Sequence, residues 1–415
     1  MRFVLASYGS RGDVEPCAAV GRELLRRGHD VRLAVAPELV GFVEAVGLPA
    51  VAYGLETRRW IPGQRDFETS LSRRFWKVKE LIRSGRESRE LFAQCWDEIS
   101  GTLMSLAEGA DVLVTGLAFE GPAANIAEYH GIPLATLHTF LSRSNGQGLR
   151  RYSGTAVEWL VWRLWKKVED AQRRRLGLPK ATRPWPWRIV ERGSLEIQAY
   201  EAICFPELAA EWANSNGQRP FVGALTMELS TDADEEVLSW IAAGKAPIYF
   251  GFGSMPVESA TDTLAMVSAA CSELGERALV CAGWTDFSEV AHCDQVKVVD
   301  EVNHSAIFPA CRAVVHHGGA GTTAAGLRAG IPTLILWILG DQPRWAAVVK
   351  RLKVGSGRRL SSTTKESLVA DLRTILAPQY VTRARELATR MTKPAESVAA
   401  AADLLEDFAR SKRVG

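Results

Sequence analysis

The sequence has no Cys-x-x-Cys pair: its seven cysteines, Cys17, Cys95, Cys204, Cys271, Cys281, Cys293 and Cys311, stand singly and without clustered histidines. Zinc sites and disulfide frameworks need paired or clustered ligands, so the pattern argues against both and leaves the thiols as small core residues. Long hydrophobic runs are also missing. The longest, such as 331–339 with Pro332 inside it, fall short of the ~18 apolar residues of a membrane span. Neither sign of charge is in excess: 50 basic against 48 acidic residues leave +2, which points to neither a nucleic-acid partner nor an acidic one. The apolar start, 1–6, runs at once into Arg11 and Asp13 and reads as a strand, not a leader, so a cytoplasmic protein is expected. No glycine turn spells Gly-x-Gly-x-x-Gly with an acid about twenty positions on, which argues against a dinucleotide-dependent oxidoreductase.

What is present is alternation. A length of 415 residues suits two domains of roughly 200 each. Short apolar runs at 2–7, 31–36, 50–53, 112–115 and 134–137 alternate with helical patterns at 14–27, 37–46, 75–106 and 119–130, which predicts a parallel sheet. Phe221-Val222-Gly223 reads as the last strand of this half and the polar stretch 225–236 as a linker. Alternation restarts with strands at 247–250, 278–281, 296–299, 313–315 and 333–336, a helix at 261–274, and helices to the end. The fold class expected is α/β, two doubly wound Rossmann-like domains with a cleft between them.

The chemistry concentrates in His316-His317-Gly318-Gly319-Ala320-Gly321-Thr322-Thr323, between a β-branched run and a helical one. Glycines there allow positive φ and close approach of a ligand to backbone N–H groups, while the first helical turn supplies unpaired donors and the positive end of a dipole. Thr322 and Thr323 can cap the turn or bind a phosphate oxygen, and His316 can donate a hydrogen bond or a positive charge. Such a loop suits a diphosphate held without metal. Gly9-Ser10-Arg11-Gly12-Asp13 repeats the strand, glycine turn, helix plan, with Asp13 placed to serve as a base or, alternatively, as a helix cap. Asp341, after the strand at 333–336, is likewise a ligand contact or the cap of a helix at 343–352. Asp232-Ala233-Asp234 spells the metal-binding Asp-x-Asp, but in the linker, where a solvated loop is expected.

Together with Gly251-Phe252-Gly253-Ser254-Met255, Glu301-Val302-Asn303-His304, Arg328-Ala329-Gly330-Ile331-Pro332 and Asp341-Gln342-Pro343, these motifs resemble family 1 GT-B glycosyltransferases. Within that family they resemble the actinobacterial enzymes acting on glycopeptides, macrolides and mycobacterial glycolipids or glycopeptidolipids. The resemblance implies an acceptor-binding domain over 1–224, a linker over 225–236, a nucleotide-sugar domain over 237–393, and a last helix over 394–415 that packs back on the first domain. It implies Asp13 as catalytic base and diphosphate or nucleotide contacts from Arg11, Gly12, Ser254, Trp284, Val302, Asn303, His316, Gly318, Gly319, Ala320, Gly321 and Thr322. Asp341 and Gln342 would bind the donor sugar. It further implies no metal and no cofactor, a dTDP-sugar donor with UDP- and GDP-sugars as alternatives, inversion at the anomeric carbon, and an amphiphilic hydroxyl acceptor. Rival expectations are a nucleotide-sugar epimerase of the same architecture and a non-catalytic nucleotide-sugar binder.

The stretch 143–192 carries thirteen Lys or Arg against four acids and five tryptophans. Val157, Leu160, Val161, Leu164, Trp165 and Val168 recur at helical spacing. One expectation is a helix that packs this stripe on its own domain and leaves a basic face in water. The other is an acceptor-binding element or peripheral contact with the inner face of the membrane.

Overall fold

The structure, a computed structural model, describes residues 1–57, 78–141, 143, 149–213, 217–253, 259–283 and 295–413. The chain divides into two compact units: 1–199, 207–225 and 398–415 form the first, and 200–206 with 226–397 form the second.

The first unit runs β1 (Arg2–Ser7), α1 (Arg11–Arg26), β2 (Asp30–Val35), β3 (Ala50–Ala52), α2 (Val78–Leu106), β4 (Val112–Gly116), α3 (Glu120–His130), β5 (Leu134–His138), α4 (Leu149–Arg175), α5 (Trp185–Glu191) and β6 (Leu195–Gln198). The second runs α6 (Asp234–Ala242), β7 (Ile248–Gly251), α7 (Ala260–Leu274), β8 (Ala278–Cys281), β9 (Val296–Val299), β10 (Ala313–His316), α8 (Ala320–Ala329), β11 (Thr333–Trp337), α9 (Gln342–Arg351) and β12 (Gly355–Arg359). The helix α10 (Pro394–Arg413) carries the chain back into the first unit from residue 398.

Each unit holds one six-stranded, wholly parallel sheet, in the orders β3-β2-β1-β4-β5-β6 and β12-β11-β10-β7-β8-β9. Counted within its own unit, the second order is the first read from the other edge, so the two halves share one topology. In each, the order reverses between the first and fourth strands: β1 beside β4, and β7 beside β10. Ligands of such sheets sit beyond the carboxyl ends of the strands at that reversal. The turn at 8–10 follows β1 and the turn at 317–319 follows β10, so topology alone brings both motif loops to a ligand-binding edge.

Both faces of the second sheet are covered. Ile248 and Phe250 of β7 face a core shared with Val267, Val280, Val315 and Leu372, while Tyr249 between them faces another with Leu279, Phe308 and Val314. Burial on both faces is why these strands read as unbroken apolar runs. All six cysteines among the described residues are buried and free. Among the described residues, no helix is long and apolar enough to cross a membrane.

The structure corrects the expected elements in several places. The last strand of the first sheet is β6, and Phe221 makes only an isolated bridge to Gln198. Residues 355–359 are an edge strand, not part of a helical end: a side chain at Gly355 would overlap the Thr333 carbonyl, and one at Gly357 would crowd Ala346. Asp234 is no solvated linker residue. It starts α6, is buried, and accepts from Thr231 N (2.8 Å), Thr231 Oγ1 (2.8 Å) and Asn303 N (2.8 Å). The helix α4 is rotated from its expected setting: Trp162 is buried and Trp165 half-buried, whereas Val157, Leu160, Val161 and Leu164 face solvent.

Candidate functional site

In the second unit, β10 ends at His316, registered with Gly251 of β7 and Ile335 of β11. The ring is fully buried, and its Nδ1 accepts from the Gly318 N–H at 3.0 Å. An Nδ1 that accepts assigns the single ring proton of a neutral imidazole to Nε2. That Nε2 is buried and without a partner among the described residues. Burial, then the neighbouring rings of His317 and His304, hold the His316 pKa well below its ordinary value, so the ring offers an N–H donor but carries no charge. Of the two roles expected of His316, this supports the hydrogen-bond donor and not the positive charge.

Gly318 has φ +101°, and a side chain on it would meet Ile335 Cγ2 at 2.8 Å and Gln342 Cβ at 3.0 Å. The turn therefore needs glycine for both conformation and space. His317, outside the implied site set, acts as a wedge. A Cβ on Gly253 (φ +59°) or on Gly319 would come within 2.8 Å of its ring, and one on Gly283 would overlap the Gly253 carbonyl. Two loop backbones, after β7 and β10, thus converge on one imidazole, and the loop after β8 packs on the first of them; the surrounding protein lowers the His317 pKa to about 4 against a hydrogen bond to the Gly251 backbone.

The helix α8 starts at Ala320, with Gly319 as N-cap and no side-chain cap. Thr322 and Thr323 are consequently helical, and Thr323 Oγ1 donates back to the Gly319 carbonyl at 2.8 Å instead of capping. The N–H groups of Ala320, Gly321 and Thr322 belong to the first turn, where no intrahelical acceptor exists. A Cβ at Gly321 would meet no atom within 4 Å.

Gln342 joins this turn to the next loop: beside its contact with Gly318, its Oε1 accepts from Ile338 N (2.7 Å) and Leu339 N (3.1 Å). Asp341 occupies the N-cap position of α9 without capping it, and its Oδ2 accepts from Trp345 Nε1 at 2.9 Å. Both are therefore held at the β11 edge beside the His316 turn. Val302 is a core residue, so it offers a ligand only its backbone, and Asn303 caps a short helix by accepting from Ser305 N at 3.0 Å. Ser254 and Trp284 lie outside the described residues.

In the first unit, β1 leads through Gly9, at φ +139°, to Ser10, the N-cap of α1. The helix begins at Arg11, not at 14, which makes Asp13 its third residue. Asp13 Oδ2 accepts from Ser10 N (2.8 Å) and Ser10 Oγ (3.0 Å), half of a capping box. A side chain at Gly9 would overlap that carboxylate. Desolvation by the surrounding protein pushes the Asp13 pKa up against the two Ser10 bonds, although the residue surface remains open to solvent. Arg11 is turned to Glu15 (3.6 Å) and lies over the Phe42 ring (4.8 Å), and Gly12 is exposed, where an added Cβ would make only an ordinary contact with Ser10. A buried network lies at the same edge: His138 Nε2 meets Glu120 Oε1 at 2.7 Å, and Arg143 joins Glu120 to Glu196. His138 is thus a satisfied structural histidine. Among the described residues no cluster of three or more His, Cys, Asp or Glu could hold a metal.

Comparison with known proteins agrees with this geometry. Residues 3–101 match the glycosyltransferase family 28 N-terminal domain, and residues 261–405 match the C-terminal domain of erythromycin biosynthesis protein CIII-like proteins. An uncharacterized glycosyltransferase of Mycobacterium tuberculosis is 62% identical over 426 residues, covering 100% of both chains. A sterol 3-beta-glucosyltransferase of Arabidopsis thaliana is 27% identical, covering 97% of this chain and 67% of its own. Among solved structures, the glycosyltransferase VinC in complex with dTDP superposes with a TM-score of 0.67 at 18% identity, covering 100% of both chains. Two like-wound parallel sheets and a full-length relative of that identity lead to one conclusion: the chain belongs to the GT-B glycosyltransferases, enzymes that transfer a sugar.

Proposed function

We propose that the enzyme transfers a hexose or deoxyhexose from a nucleoside-diphosphate sugar, dTDP-linked by preference, to a hydroxyl of a lipid, lipopeptide or secondary-metabolite acceptor. The transfer inverts the anomeric centre and uses no metal. The observation that carries this reading is the buried, unpartnered Nε2–H of neutral His316 beside the uncapped first turn of α8. A neutral imidazole donor and three free amides are what a diphosphate needs. The choice of dTDP draws on the VinC complex, and the apolar acceptor on the sterol glucosyltransferase.

In the proposed reaction the acceptor oxygen attacks the anomeric carbon as the bond from that carbon to the β-phosphate oxygen breaks. Asp13 takes the hydroxyl proton. The departing diphosphate keeps the bonding pair, and its charge is met by His316 Nε2–H and the amides of Ala320, Gly321 and Thr322, donors fixed before the reaction starts. Asp341 and Gln342 orient the sugar hydroxyls.

Gly321 separates binding from folding. Since a methyl there meets nothing, Gly321→Ala is expected to raise the unliganded thermal midpoint, alanine being favoured over glycine in a helix by roughly 1 kcal/mol. If a diphosphate approaches this amide, the same methyl weakens dTDP binding. Differential scanning fluorimetry with dTDP, UDP and GDP checks both: ligand at about 100 times its dissociation constant adds ~2.7 kcal/mol to the wild type. Failure of all three nucleotides to shift the wild type, or a Gly321→Ala shift equal to it, would remove the assignment.

A further inference from the structure

Five of the eight large apolar side chains exposed among the described residues fall within eight positions of α4: Val157, Trp159, Leu160, Val161 and Leu164. Val157, Leu160, Val161 and Leu164 are spaced i, i+3, i+4, i+7, which aligns them in one stripe, each 43–59% exposed. The helix cannot roll this stripe inward, because its opposite face is tied down. The Trp165 ring stacks on Phe92 at 3.9 Å, Glu169 pairs with Arg188 of α5, and Gln172 Oε1 accepts from Trp96 and Asn125.

Charge beside the stripe is of one sign. Arg163, Lys167 and Arg174 are exposed, and at 100° per residue they follow one flank of it. None has a carboxylate partner among the described residues. The acids of the same helix are engaged elsewhere: Glu158 by Trp187 Nε1 (2.8 Å), Asp170 by Lys166 (2.7 Å), and buried Glu169 by Arg188. Arg163 also lies over the Trp159 ring at 5.2 Å, an indole and a cation side by side at the edge of an aliphatic band.

We propose that this face of α4 docks on an anionic lipid bilayer surface, with the aliphatic stripe entering the headgroup boundary and Arg163, Lys167 and Arg174 meeting lipid phosphates. The stripe presents no hydrogen-bonding group, and its flanking charge complements phosphate. The proposal rests on exposure and charge and is independent of the donor chemistry above.

The test is co-sedimentation of the full chain with vesicles of phosphatidylcholine containing phosphatidylglycerol, and with phosphatidylcholine alone. Binding is expected on the mixed vesicles at low ionic strength, much less on the neutral ones, and a decline as salt screens the contact. Leu160→Glu combined with Leu164→Glu should lower the partition coefficient by more than about tenfold. Arg163→Glu with Lys167→Glu should do the same, each cation being worth roughly fivefold. Both pairs are exposed, so thermal unfolding should not move. No binding to anionic vesicles at low salt overturns the proposal, as does binding that the leucine pair leaves unchanged in a folded chain. A dimer in solution that the leucine pair converts to monomer also overturns it, assigning the face to a second copy.

Discussion

Asp13→Asn is expected to lower kcat by about 10²–10⁴-fold, the usual contribution of a positioned general base. The donor KM should stay near that of the wild type, because the lost interaction is made only as the acceptor proton leaves. The substitution suits the site: an asparagine oxygen can still accept from the Ser10 N–H, so α1 retains its capping box. The pH profile supplies a second readout. Desolvation raises the Asp13 pKa, and a base works only when deprotonated, so the acid limb of kcat/KM should lie above the ordinary carboxylate range near ~3.9 and vanish in the variant. Transfer from a dTDP-sugar, followed chromatographically on the folded variant, decides it. Near-normal turnover would leave Asp13 a capping residue only.

The second large effect is on stability. Arg143 donates from Nε to Glu196 Oε1 (2.5 Å), from one terminal nitrogen to Glu120 Oε2 (2.7 Å) and from the other to Glu120 Oε1 (3.0 Å), with all three side chains at most 5% exposed. Arg143→Met would leave two buried carboxylates with only His138 and Arg219 beside them, at a cost of about 3–5 kcal/mol at neutral pH. The pH dependence has a definite sign. Burial works to raise the Glu120 pKa, but Arg143 and His138 overcome it and bring it from 4.5 to about 2. That stability is therefore present above pH 4.5 and is lost as pH falls toward about 2. In the variant burial dominates, the carboxyl pKa values rise, and protonation relieves the cost. The gap between wild type and variant should thus narrow as pH falls from about 7 to about 4. Urea unfolding at the two pH values measures it, and a gap that widens toward acid would refute the charge argument.

How far the sequence discloses the fold depends on what hides each element. The runs at 248–251, 278–281 and 313–315 are legible because a parallel strand covered on both faces must be apolar throughout. β6 is not, since half of Leu195-Glu196-Ile197-Gln198 is polar and its burial is tolerated only through Arg143 and Arg219, distant in sequence. In β12, Gly355-Ser356-Gly357-Arg358-Arg359 shows no strand pattern and is read as part of the helical end, because its glycines answer to Thr333 and Ala346 on neighbouring elements, which periodicity cannot see. The stripe of α4 is visible, but which side faces inward depends on Trp165, Glu169 and Gln172 finding partners on other elements. At the site, the need for Gly318 follows from the loop type. The wedge role of His317, the neutrality of His316 and the engagement of Asp341 by Trp345 require knowing what surrounds each ring and carboxylate.

The return of α10 to the first unit sets an order of events during synthesis. Arg27 waits for Asp403 and His29 for Glu406, and the buried faces of Ala401, Ala402, Leu405 and Ala409 leave the ribosome only after the whole stretch 226–397 has emerged. The half translated first is therefore the half completed last, and until α10 emerges Arg27 and His29 stand without these carboxylates.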